Sequence, residues 1–170
     1  MIQDDELPIY HDFRNVSGYN FLNDVRNQGA CGSCYTVGFV QAVNARLKLK
    51  YGKETENISP YQVLNCNFLV EGCGGGWPHF DAYFYEHAHL VGEQCAPYSA
   101  TTKGSSCSKF ASCPPVAKIL KTEYVGGGFA EVSEKQMMKD ILRNGAISVE
   151  FEANKLFSMY KEGILSEKGV

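Results

Sequence analysis

The amino-acid sequence predicts an α+β fold, and three observations carry that prediction. Capped helical segments fill the first two-thirds of the chain, and strand-like alternation gathers in the last third. Between them, Cys95 to Cys113 is a Ser/Thr/Lys/Gly-rich loop with three cysteines in 19 residues, a segment that needs covalent staples to hold a shape. The 170 residues suit one domain over 1–170, long enough for a substantial core, and 44% hydrophobic and 21% charged residues are ordinary for a soluble globular protein.

The elements follow from local signals. Ser33 to Tyr51 reads as a helix, with Val37, Val40, Val43 and Leu47 on a buried stripe, Arg46, Lys48 and Lys50 favouring its C-terminal dipole and Gly52 closing it. Ser59-Pro60 is an N-cap followed by proline at the first helical position, opening a short helix through about Cys66. A third helix is expected from Pro78 to His89, rich in aromatics (Phe80, Tyr83, Phe84, Tyr85). Lys121 to Val125 reads as a strand broken by Gly126-Gly127-Gly128. Ser133-Glu134-Lys135-Gln136 is a capping box opening a helix to Asn144, with Gly145 as the stop. Ala146 to Phe151 alternates, with Ile147, Val149 and Phe151 on one face, and is expected to be a half-buried strand.

A net charge of -3 with no lysine or arginine cluster gives no electrostatic footprint for nucleic acid, and no apolar run approaches the length of a membrane span. Cysteine is the informative count. Seven is odd, which in an oxidising compartment leaves three pairs and a spare thiol. Two N-x-S sequons, at Asn15 and Asn57, also point to the secretory pathway and a glycoprotein. Residues 1–7 (M-I-Q-D-D-E-L) lack the basic start and apolar core of a signal peptide, so the expectation is a processed chain or a fragment of a longer product.

Residues 26–35 read R-N-Q-G-A-C-G-S-C-Y, and their C-x-x-C admits three readings. A zinc site needs a second close pair of ligands, whereas Cys66 and Cys73 are seven apart and no His-x3-5-His follows, so no metal is expected. A redox dithiol of Cys31 and Cys34 normally follows a strand, whereas residues 23–30 are polar and turn-like. In the third reading Cys34 is a nucleophile and Cys31 its disulfide-bonded neighbour. Cys34 falls in the first turn of the long helix, where the dipole and free N–H groups stabilise thiolate, the reactive form. The competing explanation is a core cysteine at a helix start.

Q-G-A-C-G-S-C-Y resembles the signature around the nucleophile of papain-like cysteine proteases. The resemblance extends to Ser59-Pro60-Tyr61-Gln62 with Asn65-Cys66, similar to the family's second helix. It also takes in Gly72-Cys73-Gly74-Gly75-Gly76-Trp77-Pro78, similar to its glycine-rich peptide-binding segment. It implies a two-lobed papain-like fold with the helical lobe over about 22–115. The β-barrel lobe would be only partly present, from about 116–170 with an N-terminal strand at 7–16. It implies Cys34 as nucleophile and Gln28 as the side-chain donor of an oxyanion hole, with Gly75, Gly76, Trp77 and Pro78 binding extended peptide substrates. It implies the disulfides Cys31–Cys73, Cys66–Cys107 and Cys95–Cys113, leaving Cys34 free.

Within the family, R-N-V-S-G-Y-N-F at 14–21, V-R-N-Q at 25–28, Tyr35 and Y-V-G-G at 124–127 are similar to the dipeptide-releasing branch, whose catalytic domain is cut into heavy and light chains. That resemblance covers residues 7–165 and makes this a heavy-chain-like sequence. No histidine follows His89, and His79, His87 and His89 read as surface or packing residues. A light chain would therefore bring the catalytic histidine and asparagine. The branch also implies zymogen processing, an exclusion domain, a higher oligomer, and a lysosome, acidic vacuole or secreted destination. No cofactor is required. The branch binds chloride, and Tyr124 matches one of its chloride-associated tyrosines, but His79 stands where the other belongs and weakens that expectation. Two other functions stay open: an inactive fragment kept for interaction, and a thiol oxidoreductase using Cys31 and Cys34.

Overall fold

A computed structural model describes residues 2–101 and 106–166. Residues 102–105, within the Cys95–Cys113 segment, and residues 167–170 lie outside the described residues. In chain order the elements are α1 (Cys34–Tyr51), α2 (Pro60–Cys66), α3 (Pro78–Tyr85), β1 (Leu90–Val91), β2 (Pro115–Ala117), α4 (Glu134–Asn144) and α5 (Lys155–Ser158), with 3-10 turns at Asp4–Glu6, Gly72–Gly74 and Cys107–Phe110.

The caps read from the sequence form where expected. The Ser59 hydroxyl accepts the Gln62 N–H at 3.0 Å, and Ser133 and Gln136 cap α4 reciprocally. Gly52 closes α1 and Gly145 closes α4. The buried face of α1 is broader than the valine stripe and more polar. Phe39 and Val40 lie at its centre, Val43 and Leu47 pack at its edge, and Thr36 and Asn44 are buried with them, whereas Val37 is only half-buried. Asn44 belongs there because its Oδ1 accepts the N–H of Ile58, a backbone donor that would otherwise be orphaned in the core.

The third helix stops at Tyr85, four residues short of the expected end. The next segment is drawn into a ladder: fully buried Leu90 and Val91 pair antiparallel with residues 115–117, and residues 86–89 make the turn that delivers them. The three expected strands do not form. Residues 121–125 and 146–151 run without a ladder, and in 7–16 the nearest feature is a lone bridge between Val16 and Tyr19. None has a partner strand among the described residues to share its backbone hydrogen bonds, and the alternation of 146–151 does not by itself hold a strand.

The core lies within residues 31–119. One cluster joins α1, α2, α3 and β1 through Phe39, Val40, Ile58, Val63, Tyr85 and Leu90. A second gathers Val91, Ala96, Phe110 and Cys113 under the cysteine loop, and a third packs Cys31, Tyr35 and Leu64 beneath the C-x-x-C segment. After residue 119, α4 turns Met137, Met138 and Ile141 toward a groove it shares with Phe13, Leu22 and Ile147.

Candidate active site

The structure separates the two cysteines of C-x-x-C. Cys31 is bonded to Cys73, Cys66 to Cys107 and Cys95 to Cys113, and Cys34 is the free thiol, exposed at the first position of α1. This overturns the oxidoreductase reading: with Cys31 committed to Cys73, the pair cannot cycle as a dithiol. No group of three or more metal-ligating side chains comes together among the described residues.

The segment before α1 is held from several sides. The Gln28 side-chain amide donates to the Cys31 carbonyl at 2.6 Å, and the Gly32 N–H donates to the Cys73 carbonyl at 3.0 Å. Tyr98 ties the same segment at two points. Its hydroxyl lies 2.7 Å from the Ser33 hydroxyl and 2.8 Å from the Gln28 carbonyl. A carbonyl only accepts, so Tyr98 donates to Gln28 and receives its own bond from Ser33, which is fully buried. Arg26 lies 5.2 Å over the Tyr98 ring while pairing with Glu93 at 2.6 Å. The N–H of Cys34 has no acceptor among the described residues, as befits the first turn of a helix.

The Cys31–Cys73 bond brings the glycine-rich segment beside this turn. Tyr35 is buried there and donates to the Gly72 carbonyl at 2.9 Å, and burial pushes its phenol up to about 12. Gly76 lies so close to this ring that a Cβ would stand 2.8 Å from Tyr35 Cε2 and 2.7 Å from Val70 Cγ1, so only glycine fits. Gly75, at φ +123°, makes the turn, and its carbonyl and N–H are both spent within it, on Glu71 and Gly72. The N–H and C=O of Gly76 have no partner among the described residues, so of the two glycines it is Gly76 that can still pair with a visiting backbone. Trp77, 52% exposed, and Pro78 then open α3.

His79, Tyr124 and Phe129 form an aromatic corner just past Pro78, with ring centroids 5.7 Å apart for His79–Tyr124 and 6.0 Å for Tyr124–Phe129. Glu150 is drawn toward it, its carboxyl raised by partial burial and pulled back by the nearby His79. His87 and His89 are exposed, with His87 edge-on to Tyr83. The two sequons differ. Asn15 is exposed beside a tight turn at Val16–Tyr19, whereas in Asn57-Ile58-Ser59 both Ile58 and Ser59 are fully buried and the Ser59 hydroxyl donates to Ala96.

Sequence reasoning missed Tyr98, Ser33 and Asp81. Asp81 is fully buried in α3, accepting from Thr36 at 2.9 Å and Asn67 at 2.8 Å. A signal for it was available, because Asp81 precedes buried Tyr85 by four residues and so shares its helix face. Nothing local marks Tyr98, whose partners lie 65 and 70 residues away.

Residues 7–170 match the model of the papain family cysteine proteases. Cathepsin C of Schistosoma mansoni is 35% identical over 147 residues, covering 84% of this chain and 32% of its own length. Cathepsin Z of Onchocerca volvulus is 31% identical over 179 residues, covering 96% and 56%. The solved structure of the bromelain protease from Ananas comosus in complex with the E64 inhibitor superimposes with a TM-score of 0.70 at 27% identity, over 84% of this chain and 62% of that one. The chain thus spans about a third of one of these curated relatives and about half of the other.

Proposed function

The chain belongs to the papain family of cysteine proteases, and from that premise we propose that it is the heavy-chain part of a cathepsin C-like dipeptidyl peptidase with Cys34 as its nucleophile. The observation that carries this reading is the division of labour in C-x-x-C. Cys31 is consumed in fastening the peptide-binding segment, and Cys34 is left free and exposed at the head of α1. The helical lobe is assigned to about 22–115, and the β lobe begins at about 116 and takes in residues 7–16.

In this mechanism the Cys34 thiolate attacks the scissile carbonyl carbon of a peptide whose backbone pairs with Gly76 beside Trp77 and Pro78. The carbonyl π-bond electrons move to oxygen, which is received by the Cys34 N–H and by the Gln28 amide. That amide carries two hydrogens and spends one on Cys31, so the other is available. Collapse of the intermediate expels the amine, which takes its proton from a histidine, and water then cleaves the thioester. The family's chemistry runs on side chains alone and calls for no cofactor. The histidine and its orienting asparagine come from a light chain, and a free substrate amine is recognised by an exclusion domain, within a higher oligomer. Chloride binding at Tyr124 and His79 is disfavoured by the Glu150 carboxyl facing the same corner. A lysosomal or secreted setting, zymogen processing and a glycan at Asn15 complete the reading.

The test is to isolate the chain natively with whatever it binds, identify companion polypeptides by mass, and assay a dipeptidyl fluorogenic amide with a free or an acetylated amine. Cleavage of the free-amine substrate only, lost in Cys34→Ala, is expected. Cleavage of both substrates would make the enzyme an endopeptidase. A lone chain that binds peptide equally well as Cys34→Ala would favour the interaction role.

A further inference from the structure

Asp81 is a buried carboxyl that no step above uses. Its Oδ2 accepts from the hydroxyl of Thr36, two residues after Cys34 in the first turn of α1. Its Oδ1 accepts from the amide of Asn67, which closes α2, and Asn67 in turn accepts the Leu69 N–H at 2.9 Å and donates to the Phe80 carbonyl at 3.2 Å. Val70, one residue further, is the side chain pressed against Gly76. The backbone N–H of Asp81 reaches the carbonyl of Trp77. One carboxyl therefore meets the nucleophile's turn, the loop that backs Gly76, and the start of α3. A core this apolar would be better served by leucine unless the carboxyl's two acceptors matter.

We propose that Asp81 is a positioning residue that clamps the Cys34 turn of α1 to the peptide-binding start of α3. The proposal deepens the assignment of Cys34 as nucleophile and rests on it. The clamp has a pH dependence. No lysine, arginine or histidine is seen to act on Asp81. From α1 it faces Thr36 and the phenol of Tyr35, from the end of α2 the neutral Asn67, and from its own helix the phenol of Tyr85. Burial dominates and raises the carboxyl to about 7, with the bonds from Asn67 and Thr36 pulling it back. The folded chain thus holds a proton that the unfolded chain releases near 3.8. The stabilisation is complete below that lower value and is lost as pH rises through about 7. Protonated, Asp81 sits neutral between its partners. Ionised, it is a buried anion without a cation, and the turn carrying Cys34 loosens.

The experiment takes the full chain with its disulfides intact and follows thermal unfolding and the rate of Cys34 alkylation by iodoacetamide from about pH 5 to 9, in wild type, Asp81→Asn and Thr36→Val. The amide imitates the neutral carboxyl, so Asp81→Asn should match wild type in acid. Between 3.8 and about 7 wild type should lose unfolding midpoint progressively relative to the variant. Above neutrality, with the carboxyl ionised in the folded state, it should also fall about two- to fivefold behind the variant in alkylation, the weight of a misplaced helix N-terminus. Thr36→Val removes a bond that favours the ionised form, so it should move the midpoint of the wild-type loss to higher pH, and this arm decides if Asp81→Asn fails to fold. Parallel profiles for wild type and Asp81→Asn, or an unmoved midpoint in Thr36→Val, would overturn the clamp. Alkylation of Cys34 no faster than that of free cysteine would count against the nucleophile instead, and the unfolding profiles would still judge Asp81.

Discussion

Residues 31–119 and residues 120–166 are built from similar material and reach different ends. The first region has three buried clusters and three disulfides. In the second, Gly145 alone among the described residues is buried, and Val149, Phe151, Phe157 and Met159 stand exposed. Both regions contain well-capped helices, so the contrast does not come from local signals. α1, α2 and α3 each find another helix to cover their apolar faces, whereas the strand-like segments 121–125 and 146–151 pair with no strand among the described residues. A helix closes its own hydrogen bonds, but a strand borrows its partners from elsewhere in sequence.

Four perturbations sharpen or break this contrast. The largest is removal of the Cys31–Cys73 bond by the double change Cys31→Ala, Cys73→Ala. Its sequence separation of 42 corresponds to about 4 kcal/mol of loop entropy, to be read in urea unfolding; a loss under about 1 kcal/mol would mean the first region does not need its staple. Next, one substitution is made in each region. Leu64→Ala, at 2% exposure, should cost about 3 kcal/mol, and Leu156→Ala, at 39%, no more than about 0.5 kcal/mol. Equal costs would erase the distinction. Third, Arg46 reaches from α1 across to the second region, donating to the Ala146 carbonyl at 2.8 Å and pairing with Asp140 at 3.0 Å. Arg46→Ala should cost about 1 kcal/mol and speed amide exchange in α4 more than in α1; uniform acceleration would show the regions to be one cooperative unit. The smallest effect is expected at Asp4, which Lys135 and Lys139 hold down to about 2. Its depressed carboxyl contributes above its ordinary 3.8 and ceases to contribute as pH falls through about 2. Asp4→Asn at neutral pH should leave the unfolding midpoint unchanged, because exposed pairs are screened.

The same division explains what could be read in advance. The end of α1, the start of α2 and both ends of α4 were legible because Gly52, Ser59, Ser133 and Gly145 mark them. The end of α3 was not, because it is decided by Leu90 pairing with a segment 27 residues on, at Ala117. At the site, Cys34 and Gln28 stood out by motif and the three disulfides by resemblance. Tyr98 and Asp81 did not, because a tyrosine in a loop and an aspartate among aromatics acquire meaning only from partners that the fold brings up. The strand readings at 121–125 and 146–151 misled for the converse reason: a strand is held by a partner, and no segment among the described residues pairs with them.

The placement of every core cluster and cross-link between residues 31 and 119 also has a temporal meaning. A ribosome delivers those residues before 120–166, so a packed nucleus with the free Cys34 thiol on its surface can assemble while residues 120–166 are still being made. Between these two regions the order of synthesis and the order of completeness run the same way, and the later of the two is the one left with apolar surface to spend on a neighbour.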